Sequence, residues 1–121
     1  MATVEMTKEI FASTVASGIV LVDFWAAWCG PCRAFAPTFE AASLKHPDVV
    51  FGKVDTEAQP ELAGSFQIRS IPTLMVFRDN ILIFEQAGAL PPAALDELIG
   101  KVRELDMDMV RKQVAEQEQP A

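Results

Sequence analysis

Apolar and polar positions alternate with different periods along this chain, and the periods divide it into short elements. Residues 2–5 are weakly strand-like and read as a short edge. Thr7 is placed to cap a helix with Glu9 in its first turn. Ile10, Phe11, Thr14 and Val15 recur at helical spacing, and Gly18 ends the pattern. Residues 19–26 then run almost wholly apolar, interrupted by Asp23. Such a run, rather than an alternating one, predicts a strand buried on both faces of a parallel or mixed sheet. Over 33–46, Phe35, Phe39 and Ala42 return every three or four residues, which predicts a helix with a kink at Pro37. His46-Pro47 closes it, because the residue before a proline avoids the α region. Residues 49–55 read as a second buried strand, which makes a βαβ unit with a right-handed crossover.

Residues 57–66 predict a short helix with Pro60 near its first turn, followed by a loop over 68–72 and a third strand over 73–78. Asp79-Asn80 suits a tight turn, since both residues tolerate positive φ better than most. Residues 81–87 return antiparallel, and Gly88 breaks that strand. Pro91-Pro92 opens a last helix with the apolar stripe Leu95, Leu98, Ile99, Val102 and Leu105. Beyond Leu105 the stripe thins to Met109. Residues 106–121 read as an acidic helical extension that frays into a disordered tail, leaving 1–105 as the folded domain. The order βα, βα, βα, ββα predicts an α/β sandwich, a central mixed sheet with helices on both faces.

Composition narrows the functions that such a domain can have. The chain has 121 residues, half of them hydrophobic, which suits one domain with a core that needs no disulfide staple. Its formal charge of −7 argues against a nucleic-acid footprint, which needs a basic patch, and against docking on an anionic membrane. The longest apolar run is too short to span a bilayer. Residues 1–9 lack a basic segment followed by an apolar one, so no secretory signal is expected. A cytoplasmic location and a monomeric state are the expectations.

The two cysteines of the chain both lie in Trp28-Cys29-Gly30-Pro31-Cys32, where the first buried strand hands over to a helix. The start of a helix offers unpaired N–H groups and the positive end of the macrodipole. A thiol held there ionises more easily, and the thiolate is the nucleophile. The pair is therefore a candidate dithiol–disulfide exchange centre. Asp23 lies among apolar neighbours, and burial would raise its pKa to suit a proton acceptor near neutral pH.

Taken together, Val22-Asp23-Phe24-Trp25-Ala26, Trp28-Cys29-Gly30-Pro31-Cys32, Ala36-Pro37, Lys53-Val54-Asp55, Ile71-Pro72-Thr73 and Gly88-Ala89 closely resemble the thioredoxin family in order and spacing. The resemblance runs roughly over 7–102. It implies the thioredoxin-like three-layer α/β/α sandwich and a protein-disulfide reductase that cycles Cys29 and Cys32 between dithiol and disulfide. By the same resemblance Cys29 is the exposed nucleophile and Cys32 the buried resolving thiol. Asp23 matches the acid that takes the resolving thiol's proton, and Lys53 the lysine near it. Pro72 matches a cis-proline beside the disulfide, and Ile71 the residue whose backbone pairs with a client chain. Trp28, Gly30, Pro31 and Gly88 match the apolar docking surface. Gly30-Pro31 between the cysteines resembles the reducing members, whereas oxidase and isomerase relatives usually carry histidine there. The implied partners are disulfide-containing clients and a thioredoxin reductase. No cofactor is bound, and NADPH is used indirectly through that reductase.

Two other readings of the same residues stand beside this one. Cys29 and Cys32 could be half of a zinc site, but zinc wants four ligands and the only histidine, His46, sits at the far end of the helix, so a metal would need a dimer. The surface around Trp28 and Pro72 could also serve binding without catalysis. Pro72 alone could be a plain loop proline, and Lys53 a lysine snorkelling from a buried strand. The tail past Leu105 lies beyond the usual end of the family.

Overall fold

The computed structural model describes residues 2–118. Its elements in chain order are β1 (Thr3–Glu5), α1 (Lys8–Val15), β2 (Ile19–Trp25), α2 (Gly30–Lys45), β3 (Val50–Asp55), α3 (Pro60–Ser65), β4 (Thr73–Arg78), β5 (Ile81–Ala87), α4 (Pro92–Arg103) and α5 (Met107–Glu118). The sheet order is β1-β3-β2-β4-β5, with β2, apolar except for Asp23, at its centre. β2 pairs in parallel with β3 and antiparallel with β4, so the sheet is mixed as the pattern predicts.

Period-2 alternation sends the two faces of the sheet to different helices. Leu21, Phe51, Leu74 and Val76 pack with Phe35 and Phe39 of α2 and with Leu95, Ile99 and Val102 of α4. Val20, Val22, Phe24, Val54, Met75 and Phe77 pack with Phe11 and Val15 of α1 and Leu62 of α3. Aromatic rings join each layer to the sheet. Phe39 meets Phe51 of β3 with centroids 5.1 Å apart, and Phe11 meets Phe77 of β4 at 5.8 Å. These are spacings at which edge and tilted ring pairs are favourable.

Several elements differ from the pattern for identifiable reasons. Thr7 has extended backbone at the head of α1, but its side chain makes no capping bond. α3 begins at Pro60 rather than near Glu57. Asp55 Oδ1 accepts the Glu57 and Ala58 N–H groups, at 2.9 and 3.3 Å, and so holds a turn ahead of the helix. The methionine that continues the apolar stripe past Leu105 is Met107, which is buried, whereas Met109 is exposed. That shift of phase comes from a break in the helix. Arg78 Nη1 donates to the carbonyls of Val102 and Leu105, at 2.7 and 3.0 Å, and ends α4. Asp106 Oδ1 then accepts the N–H groups of Asp108 and Met109, at 3.1 and 3.3 Å, and starts α5 in a new direction. The fraying expected of the last residues, 119–121, lies outside the described residues.

The hairpin joining β4 to β5 turns through Asp79 and Asn80, with φ of 52° and 70°. Two consecutive left-handed residues match the twist of the flanking strands. Asp79 also exchanges bonds with Gly18, its N–H donating to the Gly18 carbonyl at 3.0 Å and its carboxylate accepting the Gly18 N–H at 3.1 Å.

Gly52 in the middle of β3 has a packing reason. The Met6 side chain, fully buried, fills the space that a Cβ at position 52 would occupy. Gly52→Ala is therefore expected to cost about 1–3 kcal/mol through overpacking. In the double variant Met6→Ala/Gly52→Ala the loss is expected to be smaller than the sum of the two single losses. Denaturant unfolding of the four proteins measures that coupling directly.

Candidate active site

The junction of β2 and α2 is built by hydrogen bonds that turn the chain out of the sheet. The Cys29 N–H donates to the Ala26 carbonyl at 3.1 Å, and the Cys29 carbonyl accepts the Arg33 N–H at 3.1 Å. Cys29 is the N-cap residue of α2, with extended backbone at φ −86° and ψ 113°. Its sulfur accepts the Cys32 N–H at 3.2 Å. A capping oxygen of serine or aspartate usually does this. α2 starts at Gly30 rather than near Arg33 because its first turn requires no intrahelical N–H partners, so Pro31 costs nothing there.

The sulfurs of Cys29 and Cys32 are joined as a disulfide, with Cα atoms 5.2 Å apart. Cys29 is only 4 % exposed, not the open thiol that the resemblance implies. Trp25 and Ile71 pack against Ala26, Cys29 and Cys32, and the Ile71 carbonyl lies 3.6 Å from the Cys29 sulfur. The cover over Cys29 thus comes from a loop more than forty residues downstream, which no local pattern reveals.

That loop carries a cis peptide bond between Ile71 and Pro72. Pro72 is buried, and its carbonyl accepts the Gly88 N–H at 2.8 Å. Gly88 has φ of +95°, a conformation that L side chains rarely adopt. Around the pair the surface is formed by exposed Gly30, Pro31 and Gly88, with Trp28 68 % exposed. The Trp28 indole N–H donates to Glu57 Oε1 at 2.7 Å, which holds the ring by its polar edge. Glu57 has no motif or periodicity to mark it in the sequence.

Asp23 is fully buried in β2, and neither carboxylate oxygen has a hydrogen-bond partner. Burial pushes its pKa from 3.8 up to about 7, opposed by the charge of Lys53. Lys53 is its register partner on β3, half-buried, with Nζ 4.8 Å from the centroid of the Trp25 ring. Trp25 lies two residues after Asp23, on the same face of β2, and packs against the cysteines. The acid, the lysine and the sulfurs therefore share one indole as a neighbour. Lys53 makes no hydrogen bond to Asp23, so the pair interacts through the field alone.

His46 cannot complete a metal site with the cysteines of its own chain. It follows the 16-residue α2, a separation of about 24 Å along the axis, and its Nε2 is paired with Asp96 Oδ1 at 3.1 Å. Among the described residues no group of three His, Cys, Asp or Glu side chains converges on a metal-sized site. No described helix is long and apolar enough to cross a membrane.

Comparison with known proteins agrees with this geometry. The family model of thioredoxin matches residues 2–101. A Streptomyces coelicolor protein named "Putative thioredoxin 2" is 61 % identical over 120 residues, spanning 98 % of this chain and 90 % of that one. Thioredoxin of Bacillus subtilis is 39 % identical over 102 residues, spanning 84 % of this chain and 98 % of its own. A solved structure of Plasmodium falciparum thioredoxin superposes with a TM-score of 0.75 at 35 % identity, covering 82 % of this chain and 98 % of that one. The chain belongs to the thioredoxin family, and it is a thiol–disulfide oxidoreductase.

Proposed function

We propose that the protein works in the reducing direction, passing two electrons from Cys29 and Cys32 to disulfides in client proteins. The observation that carries the exchange chemistry is the Cys29 sulfur at the cap of α2, accepting the Cys32 N–H. In the dithiol form the same N–H and the helix dipole favour a thiolate over a thiol at Cys29. The Gly30-Pro31 spacer supports reduction over oxidation by its likeness to reducing members of the family. The activity is assigned to residues 1–105, with α5 as an appended helix.

The Cys29 thiolate attacks one sulfur of the client disulfide, and the client's second sulfur leaves as a thiolate and takes up a proton. A mixed disulfide now joins Cys29 to the client. Cys32 gives its proton to the Asp23 carboxylate and attacks the Cys29 sulfur, and the remaining client sulfur leaves. The client is reduced by two electrons, and Cys29 and Cys32 are left as a disulfide. An acid with a pKa of about 7 suits this step, because at neutral pH much of it is ionised and can still accept a proton. Lys53, across from Asp23, tempers that pKa and keeps the carboxylate populated. Trp28, Gly30, Pro31 and Gly88 form the surface that meets the client, the buried Pro72 shapes the loop beside the sulfurs, and the Ile71 backbone pairs with the client chain. The family further supports a thioredoxin reductase as the partner that regenerates the dithiol from NADPH, and the cytoplasm as the location.

Cys32→Ser leaves Cys29 unable to pass its partner on, so mixed disulfides with clients are expected to accumulate and to be released by dithiothreitol. Cys29→Ser should capture none; capture through Cys32 instead would reverse the two roles. Asp23→Asn is expected to slow release of the client by on the order of 10²-fold at pH 7. The gap should narrow above about pH 8.5, where an ordinary thiol ionises unaided. Stopped-flow decay of a preformed mixed disulfide reads both. Asp23 also makes stability depend on pH. Its ionisation is moved upward by folding, so stability is full below pH 4 and falls by on the order of 4 kcal/mol as pH rises through 7. Asn at 23 is expected to flatten that fall, as measured by unfolding at several pH values.

A further inference from the structure

The site contains a buried hydroxyl that the exchange chemistry leaves unused. Thr73 opens β4 and is 4 % exposed. Its backbone is fixed from both sides, in register with Phe24 on β2 and Ala87 on β5. Its Oγ1 donates to the Ser70 carbonyl at 2.6 Å. Ser70 is exposed and water could serve its carbonyl, whereas the Thr73 hydroxyl is buried, so the bond answers the hydroxyl and at the same time holds the Ser70 end of the loop. A second bond holds the other end of the same loop, where the Gly88 N–H donates to the Pro72 carbonyl at 2.8 Å. The first and third carbonyls of Ser70-Ile71-Pro72 are thus tied to the sheet. Between them the Ile71 carbonyl lies beside the Cys29 sulfur, and among the described residues neither the Ile71 N–H nor its carbonyl pairs with another backbone group.

We propose that Thr73 is a positioning residue for client capture, its hydroxyl holding the loop so that the unpaired Ile71 backbone stands as a preformed edge for an extended polypeptide. The proposal rests on the reductase reading, in which the Ile71 backbone pairs with the client chain, and adds the group that holds that backbone in place. A small disulfide has no such chain to present. Loss of the hydroxyl therefore weakens binding of a protein client and leaves the chemistry at Cys29 intact. A loop that must order itself on binding loses affinity for its partner.

The test uses the pre-reduced full chain against two probes, insulin and the small aromatic disulfide dithiobis(nitrobenzoic acid). Thr73→Val keeps the shape of the side chain and removes the donor. It is expected to raise the half-saturating insulin concentration roughly 3- to 10-fold, the loss of one hydrogen bond, with the maximal rate unchanged. Its rate with the small disulfide should equal that of the parent, which also reports that the variant is folded. Thr73→Ser restores the donor and should restore the parent value for insulin, whereas Thr73→Ala should follow Thr73→Val. Equal loss on both probes, no loss on insulin, or failure of Thr73→Ser to restore binding overturns the proposal while the reductase reading stands. A parent protein that reduces neither probe overturns the reading itself and the proposal with it.

Discussion

The first N–H groups of a helix have no acceptor within the helix, and in α2 one of them is answered by sulfur. That contact ties reactivity to architecture. The sulfur reaches the Cys32 N–H because Cys29 has extended backbone at the cap, where it closes a turn with Ala26 immediately after β2 ends at Trp25. Gly30 and Pro31 fit between the cysteines because the first turn asks for no N–H partners. The strand delivers the sulfur and the helix polarises it.

The second dependence runs through the dryness of β2. Helices cover both faces of the sheet, so the central strand is closed to water along most of its length. A carboxylate on that strand loses solvation, and with no hydrogen-bond partner nothing local repays it. An unsatisfied buried polar group costs roughly 1–3 kcal/mol. The aromatic packing of Phe35, Phe39 and Phe51 on the same side of the sheet helps the fold to tolerate it. A core built only for stability would have placed an aliphatic side chain at position 23.

Much of this was legible in the sequence where the cause is local. The almost wholly apolar run of β2 announced a strand covered on both sides, Asp79-Asn80 announced the turn, and the spacing of Cys29 and Cys32 announced their meeting. What stayed hidden has causes that are distant along the chain. Nothing local marks Gly52, whose small size is explained by Met6, from another segment, filling the space where a Cβ would stand. Met109 was expected to extend the stripe of α4, but Arg78 and Asp106 break the helix and bring Met107 inward instead. The shielding of Cys29 by Ile71, and the grip of Glu57 on Trp28, join residues 42 and 29 positions apart.

The break at Arg78 has a practical corollary. β4 runs from Thr73, at the end of the loop that packs on the sulfurs, to Arg78 at the opposite pole of the sheet, a span of about 17 Å. α5 is moored at that far pole, through Met107 and through the Arg111 ion pair with Asp79 at 3.7 Å. A linker attached along the outer face of α5 would immobilise the molecule on a bead or an electrode with its sulfurs pointing away from the support.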